Sequence, residues 1–345
     1  MPQELMRAAV YIGDGAIEVQ DLPVPVLGPR DALVEVSHCG ICGTDLHLVL
    51  ERYARPGSVL GHEWAGTIAD VGADVDGGEW PVGTRVVANA TPGCGECRAC
   101  RRGRPSVCLR REPPDLLDFS RGAFCRYKTV SADRLLRVPD ALDTRSAALT
   151  EPTAIALHTV NLAGVTPDDR VLVTGAGPVG LLTIAVLRAR GVHDITVSEP
   201  APRRRERALA VGAQLAREPD APPRAPMGRP VEQPFTFAFE CSGNARAAEA
   251  ALDQLDYAGT LVFVGTGHDM PRINHNRAIV LELTLLGAYN YDAAGFAPAL
   301  DLLASGVLPL ELLIEPVDVG LGELAPTLQR LAAGELPGKV MVVPA

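Results

Sequence analysis

Residues 170–191, RVLVTGAGPVGLLTIAVLRARG, place a glycine turn between a short apolar run and a long apolar segment. The pattern G-x-G-x-x-G in this turn spans Gly175, Gly177, Pro178, Val179 and Gly180. Between a strand and a helix, such a turn places the pyrophosphate of a dinucleotide at the N-terminus of the helix. The stretch therefore predicts the opening unit of a dinucleotide-binding domain.

The next predicted strand, DITVSE, ends at Glu199, nineteen residues after Gly180. A carboxylate at this place can accept hydrogen bonds from the ribose hydroxyls of the adenosine, which favours NAD. Arg204 and the arginines on either side of it could instead bind the 2′-phosphate of NADP. Because Glu199 would repel that phosphate at close range, the sequence favours NAD over NADP.

Further apolar runs follow this unit and are separated by polar or helical stretches. Strands are predicted at 235–240, 260–265 and 283–288, with a helix at 245–255. Alternating strands and helices predict an α/β fold with a doubly wound parallel sheet. Residues 219–234 are rich in proline, and we expect them to form a loop.

A segment before this domain holds four of the eight cysteines in the chain: Cys94, Cys97, Cys100 and Cys108. Their spacing, C-x2-C-x2-C-x7-C, lets short loops surround one tetrahedral Zn²⁺ with four sulfurs. A closed site of this kind predicts a structural zinc lobe at 93–109. An iron–sulfur cluster is the alternative, although nothing else in the sequence indicates electron transfer. Nearby arginines are expected to offset the thiolate charge, namely Arg98, Arg101, Arg102, Arg104, Arg110 and Arg111.

Metal-binding residue types also occur in CGICGTDLH at 39–47, GHEWAG at 61–66 and LTEPTAIALH at 149–158. Cys42, His62 and Glu151 would supply a thiolate, an imidazole and a carboxylate. They would leave one position for water or substrate, as catalytic zinc requires. Glu63 is a competing oxygen ligand, and Cys39 could form a redox pair with Cys42.

Composition limits the class of protein further. A chain of 345 residues, 47% hydrophobic and 21% charged, is typical of a globular protein and long enough for about two domains. The formal net charge of −10 argues against nucleic acid or an anionic membrane as a partner. The N-terminal residues match neither a signal peptide nor a membrane span, so we expect the protein in the cytoplasm. In that reducing compartment the eight cysteines are poor candidates for disulfides, and their spacing there favours metal binding.

Taken together and in this order, the motifs resemble the zinc-dependent medium-chain dehydrogenase/reductase family, and within it the polyol, sugar and threonine dehydrogenases. The resemblance covers nearly the whole chain, including the closing GKVMVVP. It implies a GroES-like, mostly β catalytic domain formed by residues 1–153 and 292–345. It implies a Rossmann NAD(P)-binding domain at 154–291, an active site in the cleft between the domains, and a homodimer or homotetramer.

The resemblance also implies roles at the metal. Cys42 and His62 hold the catalytic zinc together with either Glu63 or Glu151. Asp45 supports a ligand histidine and fixes the tautomer of its ring.

A proton relay is implied in the same motif. Thr44 takes the hydroxyl proton of the substrate, and the proton passes through the cofactor ribose toward His47 and solvent. Leu48 and Asn290 stand where the sorbitol enzymes carry an aromatic residue and an arginine, which argues against sorbitol itself as the substrate.

The leading hypothesis is hydride transfer between NAD and a secondary alcohol or ketone of a polyol, cyclitol or sugar-like compound, with two zinc ions per chain. Glu151, in place of the cysteine of classical alcohol dehydrogenases, favours this substrate class. An NADPH-dependent carbonyl reductase is the alternative enzyme. A catalytically silent zinc protein that binds a dinucleotide is the alternative of another class.

Overall fold

The computed structural model describes residues 4–89, 93–110, 121–219 and 228–345. Its chain forms two compact units. The first unit contains Met1–Ala154, Tyr291–Gly306 and Ile314–Ala345, and the second contains Ile155–Asn290 and Val307–Leu313. All of 292–345 is predicted to belong to the first domain, whereas Val307–Leu313 belongs to the second unit.

The secondary structure is given in chain order. The strands are β1 (Leu5–Gly13), β2 (Ala16–Pro23), β3 (Asp31–Gly40), β4 (Ser58–Val59), β5 (Glu63–Val71), β6 (Arg85–Ala88), β7 (Tyr127–Ser131), β8 (Leu135–Arg137), β9 (Val171–Thr174), β10 (Ile195–Ser198), β11 (Leu215–Arg217), β12 (Phe235–Glu240), β13 (Leu255–Phe263), β14 (Thr284–Gly287), β15 (Val319–Gly320) and β16 (Met341–Val343). The helices are α1 (Gly43–Leu50), α2 (Arg98–Arg101), α3 (Thr144–Ala147), α4 (Thr150–Ala163), α5 (Pro178–Ala189), α6 (Pro202–Val211), α7 (Ala245–Asp253), α8 (His275–Val280), α9 (Ala297–Ala304), α10 (Leu310–Leu313) and α11 (Leu324–Ala332).

The first unit is mostly β. One sheet has seven strands, in the order β15-β16-β3-β5-β6-β8 with β7 also paired to β3, and a second sheet has the order β2-β1-β4. Alternate residues of β3, such as Val34 and Val36, are buried with Ile68 of β5 in the core of this unit. This alternation is what a strand with one buried face requires.

Register in the large sheet brings the ends of three strands together. Gly40, at the end of β3, pairs with Glu63 of β5 on one side and with Met341 of β16 on the other. Residues far apart in sequence therefore lie side by side at this point of the sheet. The Cys42 loop and α1 follow directly.

The second unit is a parallel sheet in the order β11-β10-β9-β12-β13-β14. Numbered within the unit, this is the order 3-2-1-4-5-6 of the doubly wound dinucleotide-binding fold. All four residues of β9 are buried, as expected for a central strand covered on both faces. The predicted α/β class with a doubly wound sheet is confirmed.

The segment Val307–Leu313 joins this second unit because α10 packs against α5 and α6. The guanidinium Nη1 of Arg207 on α6 also donates a hydrogen bond of 2.9 Å to the carbonyl of Leu312. Sequence continuity gave no sign of this packing.

Of the proline-rich stretch 219–234, residues 220–227 lie outside the described ranges, and the remainder forms neither helix nor strand. None of the helices in the described parts of the chain combines the length and apolar character needed to cross a bilayer.

Candidate functional site

The four cysteines of the 93–109 lobe converge on one point. Their sulfur atoms all lie within 4.8 Å of one another, and none of them forms a disulfide. Backbone N–H groups point at the sulfurs: that of Cys97 donates to Cys94 Sγ at 3.4 Å, and that of Cys94 donates to Cys108 Sγ at 3.4 Å. N–H donors stabilise thiolates, so the donor set and its surroundings fit a tetrahedral zinc ion.

Cys97 carries the clearest electrostatic consequence of this geometry. Hydrogen bonds from the backbone N–H groups of Cys100 and Leu109 lower the pKa of Cys97 to about 6. These hydrogen bonds therefore favour the thiolate form at Cys97, whereas burial and a hydrogen bond with Cys97 raise the pKa of Cys100 to about 11.

The arginines predicted to compensate the thiolates lie mainly at the surface. Arg98, Arg101 and Arg102 are exposed. Arg110 pairs with Glu96 at 2.6 Å, and both side chains are exposed. Arg111 lies outside the described residues, and the compensating role stays a prediction.

A second cluster forms from Cys42, His62 and Glu63, whose ligand atoms also lie within 4.8 Å of one another. We call these three residues the Cys42 cluster. Cys42 precedes the first residue of α1, while His62 and Glu63 stand at the start of β5. A sulfur, a nitrogen and an oxygen ligand at these distances fit a zinc ion that has a position left for another ligand.

Asp45 ties this cluster together from behind. One carboxylate oxygen of Asp45 accepts from the N–H of Cys42 at 2.9 Å, and the other lies 3.8 Å from Nδ1 of His62. The second oxygen also accepts from the N–H of Gly61 at 3.3 Å. Burial raises the pKa of Asp45, while His62 and the N–H of Cys42 act in the opposite direction. Asp45 thus lies within ion-pair distance of His62, and its support of a ligand histidine stays a prediction.

Acidic neighbours raise the pKa of His62. Burial lowers this pKa, but the interactions with Cys42 and with the carboxylate of Asp45 outweigh burial and leave it well above its usual value. Anionic neighbours therefore surround the imidazole, which is the environment that a divalent cation would neutralise.

Glu63 is completely buried and forms an ion pair with Lys339, which is 1% exposed. The Lys339 Nζ atom lies 2.7 Å from one carboxylate oxygen and 2.6 Å from the other. It also donates to the carbonyl of Ile41 at 2.9 Å. Burial lowers the pKa of Lys339, but Glu63 and Cys42 more than offset this effect, so the ammonium form is favoured.

Gly40 makes room for this ion pair. A Cβ atom at Gly40 would stand 2.3 Å from Oε2 of Glu63 and 3.1 Å from the side chain of Lys339. Any larger residue would displace the two side chains. The ion pair of Glu63 with Lys339 therefore explains why a glycine stands at the end of β3.

Glu151 lies in the first turn of α4 and is 9% exposed. Its Oε1 atom accepts a hydrogen bond of 2.6 Å from the hydroxyl of Tyr291. Burial raises the pKa of Glu151, and His62 acts in the opposite direction. Burial and then Glu151 raise the pKa of Tyr291 well above its usual value, so the phenol keeps its proton and donates.

The residues of the predicted proton relay lie on α1. The Cys42 thiol approaches the hydroxyl oxygen of Thr44 at 3.7 Å. His47 is about one turn further along the helix, and its Nδ1 lies 2.7 Å from Glu51 at the helix end. Glu51 was not singled out from the sequence.

The glycine turn of the second unit fits a pyrophosphate. A Cβ atom at Gly180 would come within 2.0 Å of the carbonyl oxygen of Gly175, so α5 can start this close to the turn only with glycine. At Gly177, which precedes Pro178 and Val179 at the start of α5, no described atom lies within 4 Å of the Cβ position. The turn is thus closely packed on one side and open on the other, which suits an anion bound at the helix N-terminus.

Glu199 lies 3% exposed just beyond the end of β10. Its carboxylate accepts from the N–H of Ala176 at 2.8 Å and from that of Ala201 at 2.9 Å. Arg204 is half-buried on α6. Arg205 donates to the carbonyl of Glu199 at 2.9 Å, so it fixes the end of this strand.

Two family models match the chain, the alcohol dehydrogenase GroES-like domain over residues 28–140 and the zinc-binding dehydrogenase over residues 178–305. The chain is also 32% identical over 339 residues to a sorbitol dehydrogenase of Bacillus subtilis. The match covers 91% of this chain and 90% of that protein. This chain belongs to the zinc-binding alcohol dehydrogenase family.

Other members of the family agree in sequence and in fold. A 2-dehydro-3-deoxy-L-galactonate 5-dehydrogenase of Pseudoalteromonas atlantica is 31% identical, with 90% of this chain and 91% of that protein covered. The solved structure of a zinc-binding dehydrogenase from Sinorhizobium meliloti, bound to NADP, has a TM-score of 0.84 and 28% identity, and the match covers 99% of this chain and 100% of that one. The resemblance and the GroES-like plus Rossmann fold predicted from the sequence are confirmed. As a member of this family, the protein is a zinc-containing oxidoreductase that uses a nicotinamide dinucleotide.

Two residues that contact the predicted site residues of this dehydrogenase were not predicted: Lys339 contacts Glu63, and Tyr291 contacts Glu151. Lys339 stands in the closing GKVMVVP, and Tyr291 stands in the segment GAYNY followed by Asp292. A lysine inside a run of buried residues was a usable signal, because an isolated lysine is seldom buried without a partner. Tyr291 carries no comparable signal.

Proposed function

We propose that this dehydrogenase transfers hydride between NAD and a secondary alcohol or ketone of a polyol, cyclitol or sugar-like substrate. The Cys42 cluster carries the proposal, because one thiolate, one imidazole and one carboxylate meet in the first unit within 4.8 Å. A zinc ion held there supplies a Lewis acid that makes an alcohol oxygen more acidic.

We assign Cys42, His62 and Glu63 as the ligands of the catalytic metal. Glu63 is preferred over Glu151 because its carboxylate belongs to the set of ligand atoms within 4.8 Å of one another. Glu151 is engaged by the hydroxyl of Tyr291. On this assignment Lys339 balances the charge of Glu63, and Glu151 faces the cluster from α4.

Asp45 and the residues of α1 do the remaining work in the first unit. Asp45, 3.8 Å from Nδ1 of His62, would keep the orientation of that ring. We assign to Thr44 the exchange of its own hydroxyl proton for that of the substrate hydroxyl, and to His47, whose Nδ1 lies 2.7 Å from Glu51, the release of a proton to solvent. An aliphatic side chain at position 44 could not take part in such a transfer.

The nucleotide is proposed to lie at the turn of Gly175, Gly177 and Gly180, with the adenosine ribose at Glu199. A buried carboxylate at the end of β10 is the observation that favours NAD. Arg205 is bound to the backbone around Glu199, which leaves Arg204 as the arginine proposed to stand beside the nucleotide. The relative from Sinorhizobium meliloti was solved with NADP, so both cofactors belong in the test.

The second zinc ion is proposed for the four-cysteine lobe, where it serves structure. Both sites need reduced cysteines, so we place the protein in a reducing compartment, the cytoplasm. We propose that it works as a homodimer or homotetramer, with small alcohols or ketones as its ligands.

The substrate class follows from the relatives and from Glu151. Relatives named as a sorbitol dehydrogenase and as a dehydrogenase of a deoxy-galactonate derivative act, by their names, on chains with several hydroxyls. Leu48 and Asn290 depart from the sorbitol pattern, so a different polyol or sugar derivative is the proposed substrate.

A substrate screen tests the proposal. Zinc-replete protein is assayed with polyols, cyclitols, sugar acids and simple primary alcohols, each with NAD and with NADP, and the metal content is measured by mass spectrometry. We expect turnover of a polyhydroxy compound with NAD and two zinc ions per chain. A protein that holds two zinc ions, binds NAD and oxidises none of these compounds would sink the proposal.

The Glu199→Gln variant tests the proposed preference for NAD over NADP. We expect it to lose affinity for NAD and to gain affinity for NADP, because the repulsion of the 2′-phosphate is removed. Equal affinities of the unmodified protein for NAD and NADP would contradict the preference for NAD and favour the carbonyl reductase alternative.

A further inference from the structure

Tyr291 connects the four-cysteine lobe with the Cys42 cluster. Its hydroxyl donates to Oε1 of Glu151 at 2.6 Å, and its own carbonyl oxygen accepts from the hydroxyl of Ser106 at 3.3 Å. Ser106 lies in a 3-10 turn between Cys100 and Cys108, the last two cysteines of the lobe. All of these residues belong to the first unit.

The lobe residue in this connection is not a surface side chain. Ser106 is 6% exposed, although most of the residues around it are exposed or half-buried. Cys100 and Cys108 lie on either side of the turn that carries Ser106, and both contribute sulfurs to the four-cysteine lobe. The position of the Ser106 hydroxyl thus depends on how the four sulfurs are held.

A second anchor fixes the other end of the segment that contains Tyr291. The ring of Phe296 packs edge-on against the ring of Tyr291, with centroids 4.8 Å apart. The N–H of Phe296 donates to Oδ1 of Asn89 at 2.7 Å, and the backbone of Asn89 is in turn bonded to Arg134 at 2.9 Å. Tyr291 is therefore contacted on one side by Phe296, which is tied to the end of β6, and on the other by Ser106 of the lobe.

We propose that Tyr291 is a positioning residue that holds Glu151 beside the Cys42 cluster, and that the four-cysteine lobe holds Tyr291 in place through Ser106. The substrate-turnover part of this inference rests on the proposed function. The inference gives the lobe a task beyond its own local stability, because metal in the lobe maintains the arrangement of charges at the other metal site.

The physical reason is the placement of a buried carboxylate. Glu151 is 9% exposed, and the charges of His62 and Glu63 act on its carboxylate. Without a fixed donor, a carboxylate in such a place loses a hydrogen bond and turns toward whichever partner remains. A change in its orientation alters the field at His62 and therefore the binding of a cation there.

The first test is Tyr291→Phe in the zinc-loaded enzyme. This change removes one oxygen atom and keeps the ring that packs on Phe296. The control is Tyr11→Phe, which removes another buried hydroxyl of the first unit, one that accepts from the N–H of Gly15 at 3.2 Å. The readouts are the rate of zinc release to a chelator, the NAD affinity, and kcat and KM separately. The Cys42→Ser variant identifies which release phase belongs to the Cys42 cluster.

We expect Tyr291→Phe to release zinc from the Cys42 cluster about tenfold faster and to lower kcat/KM by about tenfold, the lower end of the range for groups around a metal site, because Glu151 neighbours the cluster without being one of its assigned ligands. NAD affinity and the release of lobe zinc should equal those of Tyr11→Phe. Zinc release and kinetics that match the control would overturn the role of Tyr291.

The second test is Ser106→Ala, with Ser305→Ala as the control, because the Ser305 hydroxyl also donates to a backbone carbonyl, that of Leu302 at 2.7 Å. We expect Ser106→Ala to change zinc release from the Cys42 cluster in the same direction as Tyr291→Phe but by less, and Ser106→Thr to restore it. An effect of Tyr291→Phe without any effect of Ser106→Ala would overturn the link to the lobe. If the enzyme oxidises no alcohol, the proposed function fails, and zinc release still decides this inference.

Discussion

The four-cysteine lobe and the Cys42 cluster both gather metal-binding side chains, but they do so in opposite ways. The lobe takes its sulfurs from residues 94–108 and supports them with N–H groups of the same loops. The Cys42 cluster takes its three residues from two strand ends, and the charge partner of Glu63 is Lys339, about three hundred residues further along the chain. Local chain geometry makes the first site, and the sheet register makes the second.

The two sites also differ in how negative charge is offset. Around the lobe, positive charge is plentiful in the sequence, and Arg98, Arg101 and Arg102 face solvent. At the Cys42 cluster a single buried ammonium group contacts both oxygens of Glu63. Water screens charges at the surface, whereas a buried carboxylate needs a partner. The number of arginines near a site in the sequence therefore does not show how strongly positive charge stabilises that site.

Loss of the thiolate at the Cys42 cluster should have the largest effect. Cys42→Ser is expected to lower kcat/KM by about a thousandfold or more, because the metal supplies several kcal/mol of stabilisation to the developing charge. Metal content should fall from two zinc ions to one per chain, with NAD affinity unchanged. Retention of full dehydrogenase activity by this variant would contradict the role of Cys42 as a ligand of the catalytic metal.

Removal of the buried cation should have the next largest effect. Lys339→Met leaves Glu63 charged and without its partner, which is expected to cost about 3–5 kcal/mol in the free energy of unfolding. Urea unfolding followed by circular dichroism measures the change. Lys339→Met combined with Glu63→Gln should recover most of the loss, and a double variant no more stable than the single one would contradict the role given to the pair.

Disruption of the lobe should act at a distance and more weakly. Cys97→Ser is expected to lose the lobe zinc, to retain the zinc of the Cys42 cluster, and to lower kcat/KM about tenfold through the Ser106 and Tyr291 contacts. Zinc content and steady-state kinetics measured on one preparation check this. If the variant holds one zinc ion per chain and its kinetics are unchanged, the lobe has no influence on the Cys42 cluster.

The smallest effect is expected for a surface pair of the lobe. Arg110 and Glu96 are 62% and 66% exposed, so Arg110→Ala should change the free energy of unfolding by only about 0–1 kcal/mol. Urea unfolding in low and high salt checks the value. A cost near that of Lys339→Met would mean that Arg110 offsets the charge of the thiolates, the role predicted for the lobe arginines.

Much of the fold could be predicted because its signals are local. The G-x-G-x-x-G turn identifies β9 and α5, and the spacing of four cysteines identifies the lobe, since each pattern lies within one short stretch. The start of β13, predicted at residue 260 and found at Leu255, was predicted less well than its end, and β14 is shorter than predicted, because strand ends depend on the neighbouring strands. Segment 307–313 was assigned to the other domain for the same reason: the packing of α10 on α5 and α6 involves no local pattern.

The amino-acid sequence by itself determined the residue types and spacings that allow two metal sites and a nucleotide turn. Only the tertiary structure decided that Lys339 partners Glu63, that Gly40 must stay small, and that Tyr291 connects Ser106 with Glu151. The physical reason is the range of the interactions. Turns and closely spaced thiolates are settled within a few residues, whereas buried charges and hydroxyls find partners only after strand pairing brings distant segments together.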